Sequence, residues 1–177
     1  MAERSYMVFD GYNVIGGIER YRTRATGGLD ESRELLISDC LKAAGWTGAE
    51  IIIVFDAQNT AEPEHHETRA NGSASLIFSA PGQSADDVIE RLLGRLRGNK
   101  TVYTADFALQ RTALARGARR ATPGEFQALL DELPAITSNP NRRARSRIVD
   151  RLSRETLESL EDVRRRADEE GRKKSGG

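Results

Sequence analysis

Five carboxylates in this chain stand where a sheet of parallel strands puts its chemistry. Asp10 ends the apolar run Tyr6 to Phe9, Asp56 follows "IIIVF", Asp106 follows "TVYTA", and the adjacent Asp86 and Asp87 open the segment after the run Ala74 to Phe78. Open α/β sheets bind their ligands in the crevice beyond the carboxyl ends of the strands. Taken singly, Asp86, Asp87 and Asp106 are equally well explained as helix N-caps. Several acids in one crevice need another cause. Two unit charges 4 Å apart repel by about 4 kcal/mol at an effective dielectric of about 20, so clustered carboxylates protonate or splay unless a cation holds them. Oxygen donors, a single cysteine and no histidine at a strand end favour Mg²⁺ or Mn²⁺ over zinc. Such ions are held by a few carboxylates, water and the substrate's phosphate oxygens, which points to phosphoryl-transfer or phosphodiester chemistry.

A dinucleotide-binding protein or a phosphatase also presents acids at strand ends. The glycines of "GYNVIGG" do not form G-x-G-x-x-G, and there is no P-loop. A phosphatase that forms an aspartyl-phosphate is expected to carry a second acid two residues after the first, where Tyr12 stands.

The elements that must position these acids follow from the apolar pattern. Aliphatic density marks strands at Tyr6 to Phe9, Glu50 to Phe55, Ala74 to Phe78 and Lys100 to Thr104, with a weaker fifth at Ala118 to Ala121. Helical patterns separate most of them. Leu29 to Ala44 is expected to stop at Gly45. Ser84 caps a helix with Asp87 three residues on, and Phe107 to Arg116 forms another that ends at Gly117. Thr122, Pro123 and Glu125 start a last helix, as cap, first-turn proline and capping-box acid. Alternating strands and helices predict an α/β fold with a mostly parallel central sheet covered on both faces. Residues 58–72, "QNTAEPEHHETRANG", read as a polar loop over the active edge; His65 and His66 carry little weight as metal ligands there. Trp46 and Cys40 are expected in the core.

Lysine and arginine number 27 against 27 acids, so no overall basic charge advertises a nucleic-acid partner. The balance is uneven. Residues 141–177 hold 12 basic and 8 acidic residues, a net of +4, against −4 for the rest. This segment is expected to be a charged helical extension, residues 139–177, following a main domain of residues 1–138. One cysteine excludes a disulfide framework within the chain, and no apolar run is long enough to cross a membrane, so a cytoplasmic location is expected.

The strings "FDGYNVIGG" at 9–17, "VFDA" at 54–57, "SADDVIERL" at 84–92 and "YTADFALQ" at 103–110, followed by the basic tail, resemble the YacP-type NYN domain family. The most specific part is D-G-Y-N joined to the A-D-D helix start. The resemblance implies a PIN-like three-layer sandwich and a metal-dependent endoribonuclease acting on single-stranded RNA, with messenger RNA on the ribosome as its context. It places metal on Asp10, Asp86 and Asp106, with Asn13 beside them and Asp87 and Asp56 in support. On this view Gly11 permits a tight turn and close approach of a phosphate backbone, and Asn13 orients the water or the scissile phosphate. Water activated by the metal attacks the phosphodiester in line, leaving 5′-phosphate and 3′-hydroxyl ends, with Asp87 or Asp56 taking the proton. Tyr12 either stacks on a base or, more commonly for such a residue, packs under the sheet. Ala105 departs from the family's usual serine, which thins the polar surroundings of the site. Arg142, Arg143, Arg145 and Arg147 form the cluster expected to meet RNA phosphates or the ribosome. The rival from another class is a non-catalytic RNA- or ribosome-binding module of the same fold.

Overall fold

The computed structural model describes residues 3–23, 28–57 and 62–133. The strands are β1 (Ser5–Asp10), β2 (Glu50–Phe55), β3 (His65–Arg69), β4 (Ala74–Phe78), β5 (Asn99–Tyr103) and β6 (Arg119–Ala121). The helices are α1 (Gly11–Gly17), α2 (Glu19–Thr23), α3 (Leu29–Thr47), α4 (Ala85–Arg95), α5 (Phe107–Ala115) and α6 (Pro123–Glu132). The strands join in the order β3-β4-β2-β1-β5-β6, all parallel except β3, which runs antiparallel to β4.

Strand alternation sorts the side chains into two cores. Met7, Phe9, Ile51, Ile53 and Phe55 face α1, α3 and α6, meeting Val14, Leu36, Cys40 and Phe126. Tyr6, Val8, Ile52, Val54 and Val102 face α4 and α5, meeting Val88, Ile89, Leu93, Leu109 and Ala113. Because both faces are covered, the central strands read as unbroken apolar runs. The result is the expected three-layer α/β sandwich.

The chain steps outward from β1 to β2 and β4, then returns across β1 to β5 and β6. The connection leaving β1 goes to one face and the helix leaving β5 to the other. A crevice therefore opens between the carboxyl ends of β1 and β5. Two helix starts are as expected: Ser84 with Asp87, and Thr122 with Glu125, each form a reciprocal capping box.

Three local expectations are overturned. Residues 65–69 are not loop but an edge strand. Its sequence, HHETR, lacks apolar alternation because its five residues lie on or near the surface and the strand is held by backbone pairing with β4. Ala70 and Asn71, at φ +50° and +55°, turn that strand back into β4. Helix α3 does not stop at Gly45; it continues to Thr47 and ends at Gly48, whose φ of +73° and N–H to Ala44 O (2.8 Å) make a left-handed cap. The extra turn leaves Trp46 outside the core, 47% exposed. Cys40 is fully buried as expected. The 139–177 extension, the boundary near 138 and Arg142, Arg143, Arg145 and Arg147 lie outside the described residues.

Candidate active site

Asp10 is the last residue of β1, and alternation gives it the side of Tyr6 and Val8, toward α4 and α5. The same alternation carried past β2 and β5 puts Asp56 and Thr104 on that side too. Asp10 occupies the N-cap position of α1, yet its carboxylate makes no capping hydrogen bond. It instead accepts from Thr104 Oγ1 at 3.0 Å across the crevice. Thr104 Oγ1 in turn accepts from the Asp106 N–H at 3.0 Å. One buried hydroxyl thus joins the β1 acid to the β5 acid.

Asn13, one turn into α1, accepts from the Ala105 N–H at 2.6 Å through its Oδ1. This bond bridges the switch point a second time and leaves the Nδ2 amide as the donor end. Gln110, buried on α5, donates through Nε2 to Thr104 O at 2.8 Å. It accepts from Arg120 Nη1 at 3.1 Å. Sequence reasoning missed both Thr104 and Gln110. Thr104 compensates for the alanine at 105, and Gln110 had one legible signal, a polar residue beside Leu109 on the apolar face of α5.

The acids separate by task. Asp106 caps α5, its Oδ1 accepting from Leu109 N at 2.9 Å. Asp87 is exposed and accepts at Oδ2 from Ser84 N (3.1 Å) and Ser84 Oγ (2.9 Å). The capping explanation thus holds for both. Asp86 is half-buried and takes part in neither cap. Burial raises its pKa, with added repulsion from Asp106, Asp87 and Asp56. Asp10 is 8% exposed, and burial lifts its pKa to about 6. Thr104 and the nearby Asn13 N–H oppose that rise, while Asp86 and Asp106 add to it. Asp10, Asp86, Asp106 and Asp56 therefore share one electrostatic neighbourhood drawn from four parts of the chain. Among the described residues, no lysine or arginine forms an ion pair with Asp10, Asp86 or Asp106.

Gly11 has a structural task that differs from the expectation, and Tyr12 takes the packing role. A Cβ on Gly11 would lie 2.5 Å from two atoms of the Phe55 ring and 3.0 Å from Val54 O. The glycine lets α1 pack against β2, and its backbone is ordinary helix, so no phosphate approach is needed to explain it. Tyr12 packs on Phe55 (centroids 5.2 Å apart), and its hydroxyl accepts from Arg33 Nε at 2.9 Å and Nη2 at 2.6 Å. The aromatic ring is spent on the fold, as the packing alternative anticipated.

No three or more Asp, Glu, His or Cys side chains among the described residues are already drawn up around one cation position. The donor chemistry nevertheless fits a hard divalent ion. Mg²⁺ keeps several waters and takes one or two carboxylates plus substrate phosphates, so a closed protein cage is not required. Asp10, Asp86 and Asp106, with no basic partner among the described residues and Asp10 lifted to about 6, are what such an ion relieves.

A parallel α/β sandwich with acids gathered at the β1/β5 switch point defines a nuclease-like fold of the PIN type. The chain belongs to the YacP-like NYN domain family, whose model matches residues 7–165. Protein YacP of Bacillus subtilis (strain 168) is 30% identical over 168 residues, which span 90% of this chain and 96% of that one. The crystal structure of Rae1 (YacP) from Bacillus subtilis is similar at a TM-score of 0.59 and 26% identity, covering 90% of this chain and 94% of that chain. The crystal structure of a point mutant of the same protein, 24% identical, shares the fold with a TM-score of 0.61 over 84% of each chain. None of the described helices is long and apolar enough to cross a membrane.

Proposed function

We propose that the protein is a Mg²⁺- or Mn²⁺-dependent endoribonuclease that hydrolyses phosphodiester bonds in single-stranded RNA. What supports this is that Thr104 ties Asp10 to the Asp106 backbone, that Asp86 lies near enough for its charge to act on Asp10, and that none of the three forms an ion pair with a described lysine or arginine. When bound by these three carboxylates, the ion supplies charge neutralisation of the phosphate and an activated water for in-line attack. The chain's own residues supply the rest. Thr104 fixes the Asp10 carboxylate and the Asp106 backbone in one register. Asn13, locked by Ala105 N–H, presents Nδ2 to a phosphate oxygen. Asp87, which also caps α4, or Asp56 accepts the attacking water's proton. Hydrolysis in this sense leaves a 5′-phosphate and a 3′-hydroxyl.

Family membership supports messenger RNA, met on the ribosome in the cytoplasm, as the substrate context. Arg142, Arg143, Arg145 and Arg147 in the segment after the nuclease domain are the proposed contacts to RNA phosphates or to the ribosome. The test is incubation of single-stranded RNA, free and in translating ribosomes, with Mn²⁺ and then with chelator. Fragments that bear 5′-phosphates, vanish with chelator and vanish in Asp10→Asn support the proposal. RNA bound but left whole under every condition means a non-catalytic binding module. Release of inorganic phosphate from a small ester, without RNA cleavage, means a phosphatase.

A further inference from the structure

An RNA strand that reaches Asp10, Asp86 and Asp106 enters a negative crevice, so cations must lie close by. The residues directly after Asp106 supply them. From Phe107 to Ala121 the chain carries Arg111, Arg116, Arg119 and Arg120 and no acid at all. That stretch is α5 and β6, and β6 is the sheet's edge beside β5. Arg116 pairs with Glu90 at 2.8 Å, and Arg120 is shared with Gln110. Arg111 is exposed and forms no ion pair with a carboxylate among the described residues.

Phe107 stands at the head of this strip. At 81% exposure it is the most exposed large hydrophobic side chain among the described residues. The fold makes little use of its ring, yet its backbone is held firmly. Asp106 beside it is anchored by Thr104 Oγ1 and caps α5. Arg111 lies four residues on, which on a helix puts the two side chains next to each other, about 5–6 Å apart at Cβ. An open aromatic face suits any nucleobase, and a guanidinium one turn away suits the adjoining phosphate. The acid-free charge of the strip favours a polyanion over a protein partner.

We propose that Phe107 and Arg111 form a nucleotide subsite beside the acidic crevice, where a base of single-stranded RNA stacks on the ring and the neighbouring phosphate meets Arg111. The subsite rests on the endoribonuclease reading above, and the test separates the two. The full chain carries Asp10→Asn, so that RNA survives, with Trp46→Phe to remove the single tryptophan and Phe107→Trp as reporter. A single-stranded RNA octamer is titrated twice, once end-labelled for anisotropy and once unlabelled for tryptophan emission. Emission is expected to be quenched with the midpoint that anisotropy gives. In the Asp10→Asn parent, Phe107→Ala weakens binding about tenfold. Arg111→Gln also weakens it and flattens the slope of log K against log salt by about 0.7. Both variants keep the parent's melting temperature, since both side chains are exposed. Octamer binding with unchanged emission, and affinities within about twofold for both variants, overturns the subsite and leaves the nuclease reading standing. No octamer binding by the parent overturns both.

Discussion

Asp10→Asn separates the electrostatic argument from every assumption about catalysis. Ionised Asp10 is held in a place that burial and two acidic neighbours make hostile to charge, so its pKa stands at about 6 against an ordinary 3.8. At about 1.4 kcal/mol per pH unit, that gap costs the folded state about 3 kcal/mol once the group is fully ionised. The direction follows from proton binding. Between pH 3.8 and about 6 the folded protein keeps a proton that the unfolded chain has released, so stability falls as pH rises through this window and is flat above it. Asparagine has the same shape, accepts from Thr104 through its own oxygen and carries no charge. In metal-free buffer at pH 8 the variant should therefore melt about 6–12 °C above the parent, at about 2–4 °C per kcal/mol for a chain near this length. At pH 4 the two should melt together. Mn²⁺ closes the gap: it raises the parent, by about 2.7 kcal/mol at a hundredfold excess over its Kd, and leaves the variant almost unmoved. Calorimetry from pH 4 to 8, with and without Mn²⁺, measures all of this. A difference between the proteins that does not change with pH would show that Asp10 is not a buried charge among charges, and the case for the cation site would go with it.

Three further outcomes are expected. Gly11→Ala drives a methyl into the buried Phe55 ring and should cost about 1–3 kcal/mol in urea unfolding, whereas alanine at Gly16, which has open space around it, should cost nothing or stabilise. Asp39, 5% exposed, accepts from Tyr21 OH and Lys42 at 2.9 Å and pairs with Arg20. Asp39→Ala should lose about 2–4 kcal/mol without touching RNA affinity, and intact stability would refute the network. Thr104→Val keeps the shape but removes the donor that holds the Asp10 pKa down and the acceptor for Asp106 N–H. Cleavage should fall about tenfold in kcat/KM at neutral pH, with the acidic limb of the pH profile moved upward; an unshifted limb would mean that Thr104 does not act on Asp10.

What the sequence could disclose was governed by whether a residue's task is local. The strands β1, β2 and β4 are buried on both faces, and such burial writes itself as an unbroken aliphatic run. The caps at Ser84 and Thr122 are complete within four residues, so they too could be read directly. β3 escaped because an edge strand is specified by backbone pairing with β4, and its polar side chains resemble a loop; the Asn71-Gly72 turn was the only local trace. The end of α3 escaped because Gly45 and Gly48 look alike in one dimension, and only the second takes the left-handed conformation that ends a helix.

The crevice mixes both kinds of information. Asp10 and Asp106 are visible as acids after strands, but their partnership is not. It depends on β5 lying beside β1, a neighbour relation made after the chain has crossed the sheet and returned. Thr104 became legible only at that step: the alternation that buries Val8 and Val102 on one face continues to Asp10 and Thr104 on the same face, so register alone brings hydroxyl to carboxylate. The polar neighbour that Ala105 seemed to remove was therefore one residue earlier, supplied by the strand.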